Sequence, residues 1–292
     1  RDNVTIFMLH PKGRVSDVQR RQMTTVLAPN VHNIAVTDSS FDDAQAMVKR
    51  MFNDTAMTGR FAIGAVNSIN WARLMAQVVY YFASAVQLGA PRREVAFSVP
   101  TGNFGDVFAG YVAARMGLPV ERLIVATNVN DILHRALSEG DYSAGTVTPS
   151  AAPSMDIQVS SNFERLLFDL LGRDGAAVAA AMDEFRRAGR LPIGEEAWRQ
   201  ARALFTAARV SDEETLDWIR RIRGESGLIV DPHTAIGIAA GRAKRRDQGT
   251  PLVALATAHP AKFGEAVKRA IGAEPPLPPA LAALKHRVGS AA

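Results

Sequence analysis

The chain of 292 residues contains no cysteine. It can therefore form no disulfide, no thiolate zinc site and no cysteine nucleophile. Long apolar runs are also absent, because none approaches the ~20 residues that span a bilayer. A cysteine-free composition is compatible with a reducing compartment. We expect a cytoplasmic protein with no membrane partner.

Concentrated positive charge is lacking as well, although the net charge is +5 and the sequence pI is about 9.8. A basic balance of this kind raises nucleic-acid binding as one interpretation. The densest basic clusters, at 242–246 and 186–187, lie near predicted helix ends, where they complement the helix dipole. No aromatic residue is interleaved with them. We therefore expect no nucleic-acid partner.

What remains is the composition of a globular protein, with 47% apolar and 22% charged residues. Short apolar runs alternate with helical patterns, which is typical of a mostly parallel sheet. The runs predicted as strands are 4–9, 33–36, 60–64, 94–99, 122–126, 227–230 and 251–256. The helices of a predicted elaboration in the second half are 162–171, 176–187, 194–208 and 212–223. These patterns predict an α/β fold with open, mostly parallel twisted sheets and helices on both faces.

Two stretches are apolar enough to predict complete burial. Residues 4–9 (VTIFML) are typical of a strand covered on both faces. Residues 71–88 form a long predicted helix with few polar positions. A helix that is apolar nearly all round is usually buried.

The central stretch of the chain is the turn at residues 100–106 (PTGNFGD), between a predicted strand and a predicted helix. This order aims backbone N–H groups at the positive end of a helix dipole, where a phosphate commonly binds. Gly102 and Gly105 allow positive φ and let a ligand approach the backbone closely. The spacing matches neither the Walker loop nor the dinucleotide fingerprint. A plain turn that binds nothing is the alternative.

Polar groups follow strand after strand in the predicted sheets. They occur at His10, Asn67, Thr101, Thr127, Asp231 and Thr257. In open parallel sheets, ligands bind at the carboxyl ends of the strands. Several such groups at one edge favour a genuine binding site over a plain turn.

These motifs, taken together and in order, resemble the threonine synthase family of pyridoxal-phosphate (PLP) enzymes. Residues 99–106 (VPTGNFGD) resemble that family's cofactor-phosphate loop. Further landmarks in register are NSIN at 67–70 with Arg73, ATNVND at 126–131, SMDI at 154–157, DPHTA at 231–235 and TAHPAKF at 257–263. The resemblance runs across nearly the whole chain.

The resemblance implies PLP fold type II, the tryptophan synthase β-like fold. Residues 1–66 would be the remainder of a smaller α/β domain. Residues 67–292 would form a larger PLP-binding α/β domain with a helical insertion at about 162–225.

The activity that the resemblance implies is a lyase reaction in threonine biosynthesis, within the aspartate family of amino acids. O-phosphohomoserine and water would give L-threonine and phosphate with the help of PLP. One alternative is a threonine-synthase-like phospho-lyase that releases a 2-keto acid. Another is a non-catalytic PLP-binding or phosphate-binding fragment.

Several residue roles follow from the resemblance by position. Residues that would hold the cofactor phosphate, mainly through backbone N–H groups, are Gly102, Asn103, Phe104, Gly105 and Asp106. Thr257 resembles the hydroxyl that meets the pyridine nitrogen. Candidates for substrate contacts are Asn67, Ser68, Asn70 and Arg73. The planar fork of Arg73 suits a substrate phosphate, and a structural ion pair is its alternative. For His233 and His259 a structural role is favoured over acid–base chemistry.

The family's Schiff-base lysine has no match here. The lysines of this chain are Lys12, Lys49, Lys244, Lys262, Lys268 and Lys285. None has the family's lysine context, although Lys12 and Lys262 fall just past predicted strand ends. We therefore expect no catalytic residue and no metal site in this chain. The chain resembles the C-terminal part of a family member, and its expected partner is the N-terminal segment of the same protein.

Overall fold

The computed structural model describes residues 3–13, 15–39, 41–284, 287 and 289. The chain divides into two compact units. Unit 1 contains residues 1–65, 261–264 and 274–292, and unit 2 contains residues 66–260 and 265–273. The assignment of 1–66 and 67–292 to two family domains stays a prediction.

Unit 1 is built on two parallel strands, β1 (Ile6–Pro11) and β2 (Val31–Val36). The helices that follow them are α1 (Asp17–Thr24), α2 (Phe41–Asn53) and α3 (Thr55–Arg60). Ser16 starts α1 with a capping box, because its hydroxyl accepts from Gln19 N while the Gln19 side chain accepts from Ser16 N.

The strand at the start of the chain is not covered on both faces, so that prediction was wrong. Phe7 is 61% exposed, and Ile6 is exposed as well. Within the described residues β1 pairs with β2 alone. Phe7 stacks on His32 of that strand instead of entering a core. An apolar run therefore indicated the strand correctly but not its burial.

Unit 2 contains a four-stranded sheet with helices around it. Its first elements are α4 (Trp71–Gln87), β3 (Val95–Pro100), α5 (Gly105–Arg115), β4 (Val120–Thr127) and α6 (Ile132–Glu139). The helical segment contains α7 (Phe163–Leu170), α8 (Gly175–Ala188), α9 (Glu195–Leu204), β5 (Phe205–Arg209) and α10 (Asp212–Ser226). The last elements are α11 (Pro232–Lys244), β6 (Leu252–Ala254) and α12 (Gly264–Ile271). A final helix, α13 (Pro279–Leu284), belongs to unit 1.

All pairings in this sheet are parallel, in the order β5-β4-β3-β6. Every residue of β3 is buried, as expected for a strand with helices on both faces. The predicted α/β class with parallel sheets is therefore confirmed. None of the helices within the described ranges is long and apolar enough to cross a bilayer.

The edge strand β5 corrects the prediction of one helix over 194–208. The helix α9 ends at Leu204, and the chain then pairs with β4 from Leu123 to Thr127. The buried side chains of β5 include Phe205 and Ala207. Alanine favours helices and the apolar run is short, so only the tertiary pairing distinguishes strand from helix here.

Two other predicted strands are absent from the described structure. Residues 61–65 follow α3 without forming a strand, and residues 228–230 form no strand either. Gly227 ends α10 in the left-handed conformation, with φ of 75°. Residues 132–139 form the helix α6, which follows β4. The two strand predictions were wrong because a short apolar run forms a strand only where a partner strand lies in register.

The helix α4 is not buried all round, which corrects another prediction. One face packs inward through Leu74, Val78, Tyr81 and Ala85. The opposite face exposes Val79 at 60% and Met75 at 52%. In the described part of the chain, α4 therefore presents an apolar outer face.

Candidate functional site

The turn between β3 and α5 holds the predicted phosphate loop. Phe104 is the N-cap of α5 and lies in the left-handed region, with φ of 63°. Neither Gly102 nor Gly105 lies in that region, although glycine can adopt it. Phe104 is fully buried, with the rings of Phe163 and Phe205 at centroid distances of 5.3 and 5.7 Å. Packing of a large side chain therefore fixes the shape of this turn.

Gly102 is required for space rather than for an unusual φ. A Cβ atom at Gly102 would lie 2.7 Å from Ser154 O and 3.4 Å from Met155 Cα. The Ser160 hydroxyl donates to Gly102 O at 2.9 Å. The backbone of the loop is thus clamped by the segment around residues 154–160.

The N-terminus of α5 is free of a side-chain cap. Phe104 carries no acceptor, and α5 has no side-chain cap hydrogen bond. The Thr101 hydroxyl donates to Val99 O at 2.6 Å, so it bonds to the backbone of β3 and does not cap the helix. Backbone N–H groups at the positive end of a helix are the donor set that a phosphate needs. The residues present therefore fit a phosphate group.

One carboxyl group lies in the first turn of α5. The Tyr81 hydroxyl contacts Asp106 O at 2.8 Å and Asp106 Oδ1 at 3.3 Å. Burial raises the pKa of the Asp106 carboxyl to about 6, against the Tyr81 hydrogen bond and the Arg73 charge, which both lower it. A carboxyl that holds its proton more readily repels a bound anion less.

The second predicted site segment, residues 67–70, forms the turn that starts α4. Asn67 Oδ1 accepts from Ile69 N at 3.1 Å, and Asn70 Oδ1 accepts from Ala72 N at 2.9 Å. These two oxygens therefore build the turn and cap the helix. Arg73 lies in the first turn of α4 and is exposed.

Asn162 joins the two predicted loops. Its Nδ2 donates to Ser68 O at 3.0 Å and to Asn103 O at 2.9 Å. Asn162 is only 1% exposed. The substrate loop and the phosphate loop are therefore neighbours, held together by one buried amide.

Arg165 supports this junction from the next turn of α7. Its Nε donates to Asn162 Oδ1 at 2.9 Å, and Nη2 donates to Ile69 O at 2.8 Å. The guanidinium also lies over the Trp71 ring at 5.4 Å. Burial lowers the pKa of Arg165. This fixed geometry orients the Asn162 amide so that its NH₂ group faces the two carbonyls.

A polar network holds the segment that contains Asp156 against the end of β4. Asp156 Oδ1 accepts from Asn128 Nδ2 at 2.7 Å and from Asn130 Nδ2 at 3.0 Å. Asp156 Oδ2 accepts from Ser150 N at 2.9 Å. The motifs at 126–131 and 154–157 therefore meet, and their contact is structural.

The remaining predicted residues follow strands or lie near the start of a helix. Thr127 ends β4. Thr257 is exposed and lies three residues beyond the end of β6, the strand next to β3. His259 is exposed. His233 is buried at the start of α11, where Ser154 N donates to its Nε2 at 3.2 Å. His10 belongs to unit 1.

The lysines lie mostly at the surface. Lys12, Lys49, Lys244 and Lys268 are exposed, Lys262 is half-buried, and Lys285 lies outside the described residues. Among the residues that the structure describes, no group of His, Asp or Glu side chains could hold a metal ion.

Sequence reasoning missed Asn162, Arg165 and Ser160 as parts of the site. They lie in the helical segment, 58 or more residues from the loops that they contact. Their only local signal was the polar stretch SSN at 160–162, before an amphipathic helix. It was interpreted as a helix start.

Comparison with known proteins gives matches along the chain. The family model described as "Pyridoxal-phosphate dependent enzyme" matches residues 3–191, and "Threonine synthase, C-terminal" matches residues 234–289. Threonine synthase of Pseudomonas aeruginosa is 58% identical over 287 residues, which cover 98% of this chain and 61% of that protein.

Solved structures agree with these matches. A PLP-bound threonine synthase from Brucella melitensis superposes with a TM-score of 0.92 at 52% identity, covering 100% of this chain and 62% of that one. Yeast threonine synthase superposes with a TM-score of 0.88 at 41% identity, covering 98% of this chain and 61% of that one. The chain spans about three-fifths of the length of these relatives.

The family resemblance seen in the motifs is thus confirmed by matches that do not depend on any single loop. The chain belongs to the family of pyridoxal-phosphate-dependent enzymes, and within it to the threonine synthases.

Proposed function

We propose that this chain carries the cofactor-phosphate cradle and the substrate loop of a threonine synthase. The reaction is the conversion of O-phosphohomoserine and water to L-threonine and phosphate. The observation that carries the proposal is the junction at Asn162, which joins an uncapped helix N-terminus to a second polar loop.

PLP is the cofactor that this site would take. When bound, it supplies an electron sink that stabilises negative charge on substrate carbon atoms. The backbone N–H groups of Gly102, Asn103, Phe104, Gly105 and Asp106 would hold its phosphate. Hydrogen bonds to an oxyanion at a helix end are charge-assisted and therefore strong.

Other residues would orient the two small molecules. Thr257 would meet the pyridine nitrogen with a neutral hydroxyl. Contacts to substrate are proposed for Asn67, Ser68, Asn70 and Arg73. Since Asn67 uses its side-chain oxygen in the turn, its amide NH₂ group is the donor it can offer. Arg73 would bind the substrate phosphate through its guanidinium fork.

The lysine that carries the cofactor in this family would come from the N-terminal segment of the same protein. This assignment rests on the lack of the family's lysine context in all six lysines. A cytoplasmic location and a place in aspartate-family amino-acid biosynthesis remain predictions that follow from the proposed reaction.

Comparing PLP with pyridoxal, which lacks the phosphate, tests the proposal directly. We expect the chain to bind PLP at least about tenfold more tightly, because one or two charge-assisted hydrogen bonds supply that difference. Equilibrium dialysis gives both dissociation constants, and inorganic phosphate should compete with PLP. Equal affinity for the two compounds would overturn the proposal.

Activity is tested by co-expression with the part of the Pseudomonas aeruginosa relative that lies outside the match. We expect threonine and phosphate to form from O-phosphohomoserine in equal amounts. Release of a 2-keto acid would favour the phospho-lyase alternative. Tight PLP binding without any turnover would favour a non-catalytic fragment.

A further inference from the structure

A buried acidic residue and a buried histidine lie at the start of α11, outside the loops described above. Asp231 is fully buried, and His233 is 3% exposed. Asp231 Oδ1 accepts from His233 N at 2.9 Å and lies 2.7 Å from His233 Nδ1. Its Oδ2 accepts from the Thr234 hydroxyl. The carboxylate therefore fixes the orientation of the imidazole ring.

The other ring nitrogen identifies the tautomer. Ser154 N lies 3.2 Å from His233 Nε2. A backbone N–H can only donate, so Nε2 must present a lone pair. The proton then resides on Nδ1, which donates to Asp231. His233 thus aims an acceptor at a backbone N–H that lies 79 residues away in sequence.

Ser154 connects this histidine to the phosphate loop. It lies in the short turn Pro153–Met155, whose carbonyl at Ser154 faces Gly102. The space between them is too small for a methyl group, since a Cβ on Gly102 would lie 2.7 Å from Ser154 O. His233 therefore holds the N–H of Ser154, and the carbonyl of the same residue faces Gly102.

We propose that Asp231 and His233 are positioning residues for the phosphate loop. They fix the Pro153–Met155 turn, and that turn determines where the Gly102 backbone lies. The inference rests on the proposed function, because the task of the loop is to hold the phosphate of PLP. Neither residue contacts the bound group; both act through Ser154.

Two substitutions at one position separate this role from simple packing. In His233→Gln, the side-chain oxygen reaches the place of Nε2 and can still accept from Ser154 N. In His233→Asn, the shorter amide reaches only the place of Nδ1, so the contact to Ser154 is lost. Both variants remove the ring, and both should destabilise the fold to a similar degree.

The amide resonances of the loop are the first measurement. We expect the ¹H–¹⁵N signals of Gly102 and Asn103 to move in His233→Asn and to stay near their wild-type positions in His233→Gln. Loop signals that are unchanged in His233→Asn, or that move equally in both variants, would overturn the inference. The result does not depend on PLP.

The affinity for PLP is the second measurement. We expect the dissociation constant for PLP to rise about 3- to 10-fold in His233→Asn and less than about 2-fold in His233→Gln. The constant for pyridoxal should not change. If wild-type chain fails to prefer PLP over pyridoxal, the proposed function fails. If it does prefer PLP and His233→Asn binds equally well, only the positioning role fails.

The tautomer itself can be measured without any variant. The ¹⁵N shifts of the His233 ring should show a protonated Nδ1 and an unprotonated Nε2. A ring with its proton on Nε2 would contradict the contact to Ser154 and would overturn the inference. If His233→Asn does not fold, these ring shifts of the wild-type chain remain the deciding measurement.

Discussion

Gly102→Ala tests the most closely packed point of the candidate site. The added methyl carbon would lie 2.7 Å from Ser154 O, well inside the ~3.5 Å at which non-bonded heavy atoms pack favourably. Ser154 O belongs to backbone and cannot rotate away as a flexible side chain would. The loop and the Pro153–Met155 turn must therefore move apart by several tenths of an ångström.

The expected cost follows from measured overpacking of protein interiors. Substitutions that add a methyl group to a full site cost about 1–3 kcal/mol. We expect the free energy of unfolding in urea to fall by that amount in Gly102→Ala. Since 1.4 kcal/mol is a factor of ten, the PLP dissociation constant should rise about 5- to 150-fold if the strain falls on the bound loop.

Gly224→Ala is the matched control. Gly224 is exposed in the last part of α10, and a Cβ there would meet nothing within 4 Å. Alanine favours the helix, so this variant should be stabilised by about 0.5–1 kcal/mol and should bind PLP as wild type does. If Gly102→Ala unfolds at the wild-type urea concentration and binds PLP normally, the close contact at Ser154 does not constrain the loop.

Three other substitutions test separate features of unit 2. In wild type, the folded state holds the Asp106 proton more tightly (pKa about 6) than the unfolded chain does (3.8). This carboxyl therefore lowers stability by up to about 3 kcal/mol as the pH rises from 4 to 6. Asp106→Asn should remove that fall, and urea unfolding curves with the same pH dependence as wild type would contradict it. Asn162→Asp replaces the side-chain donor to Ser68 O and Asn103 O with a carboxylate oxygen and should cost about 2 kcal/mol of unfolding free energy, although Asn103 O keeps the backbone N–H of residue 162. Thermal melting measures this loss, and an unchanged melting temperature would show that the amide does not join the loops. Val78→Ala should destabilise by roughly 2 kcal/mol and Val79→Ala by less than about 0.5, because the first side chain is buried and its neighbour is 60% exposed. Equal losses in the two variants would mean that the outer face of α4 is covered in solution.

The strand–turn–helix unit around residues 100–106 could be predicted from the sequence because its signals are local. An apolar strand, a glycine-bearing turn and a helix follow one another within about twenty residues. The alternation of strands and helices gave the parallel α/β class for the same reason. Both follow from periodicity and turn chemistry, which a single sequence contains.

The causes of the loop's geometry could not be predicted in this way. Glycine is the residue that most readily adopts positive φ, whereas in this loop Phe104 adopts it because distant rings bury its side chain. The strand β5 contains residues typical of a helix and forms through pairing with β4. Asn162 donates to carbonyls 59 and 94 residues away. Contacts over such separations leave no periodic trace in the sequence.

The left-handed Phe104 makes the phosphate loop difficult to transplant. A non-glycine residue in this region costs about 1–2 kcal/mol, and Phe163 of α7 and Phe205 of β5 supply the packing that offsets it. A peptide of residues 95–115 contains neither ring and should not adopt the turn in isolation. Grafting this loop onto another scaffold would therefore require an aromatic pocket as well as the seven residues of the motif. During folding, the loop can acquire its final shape only after both distant segments have docked.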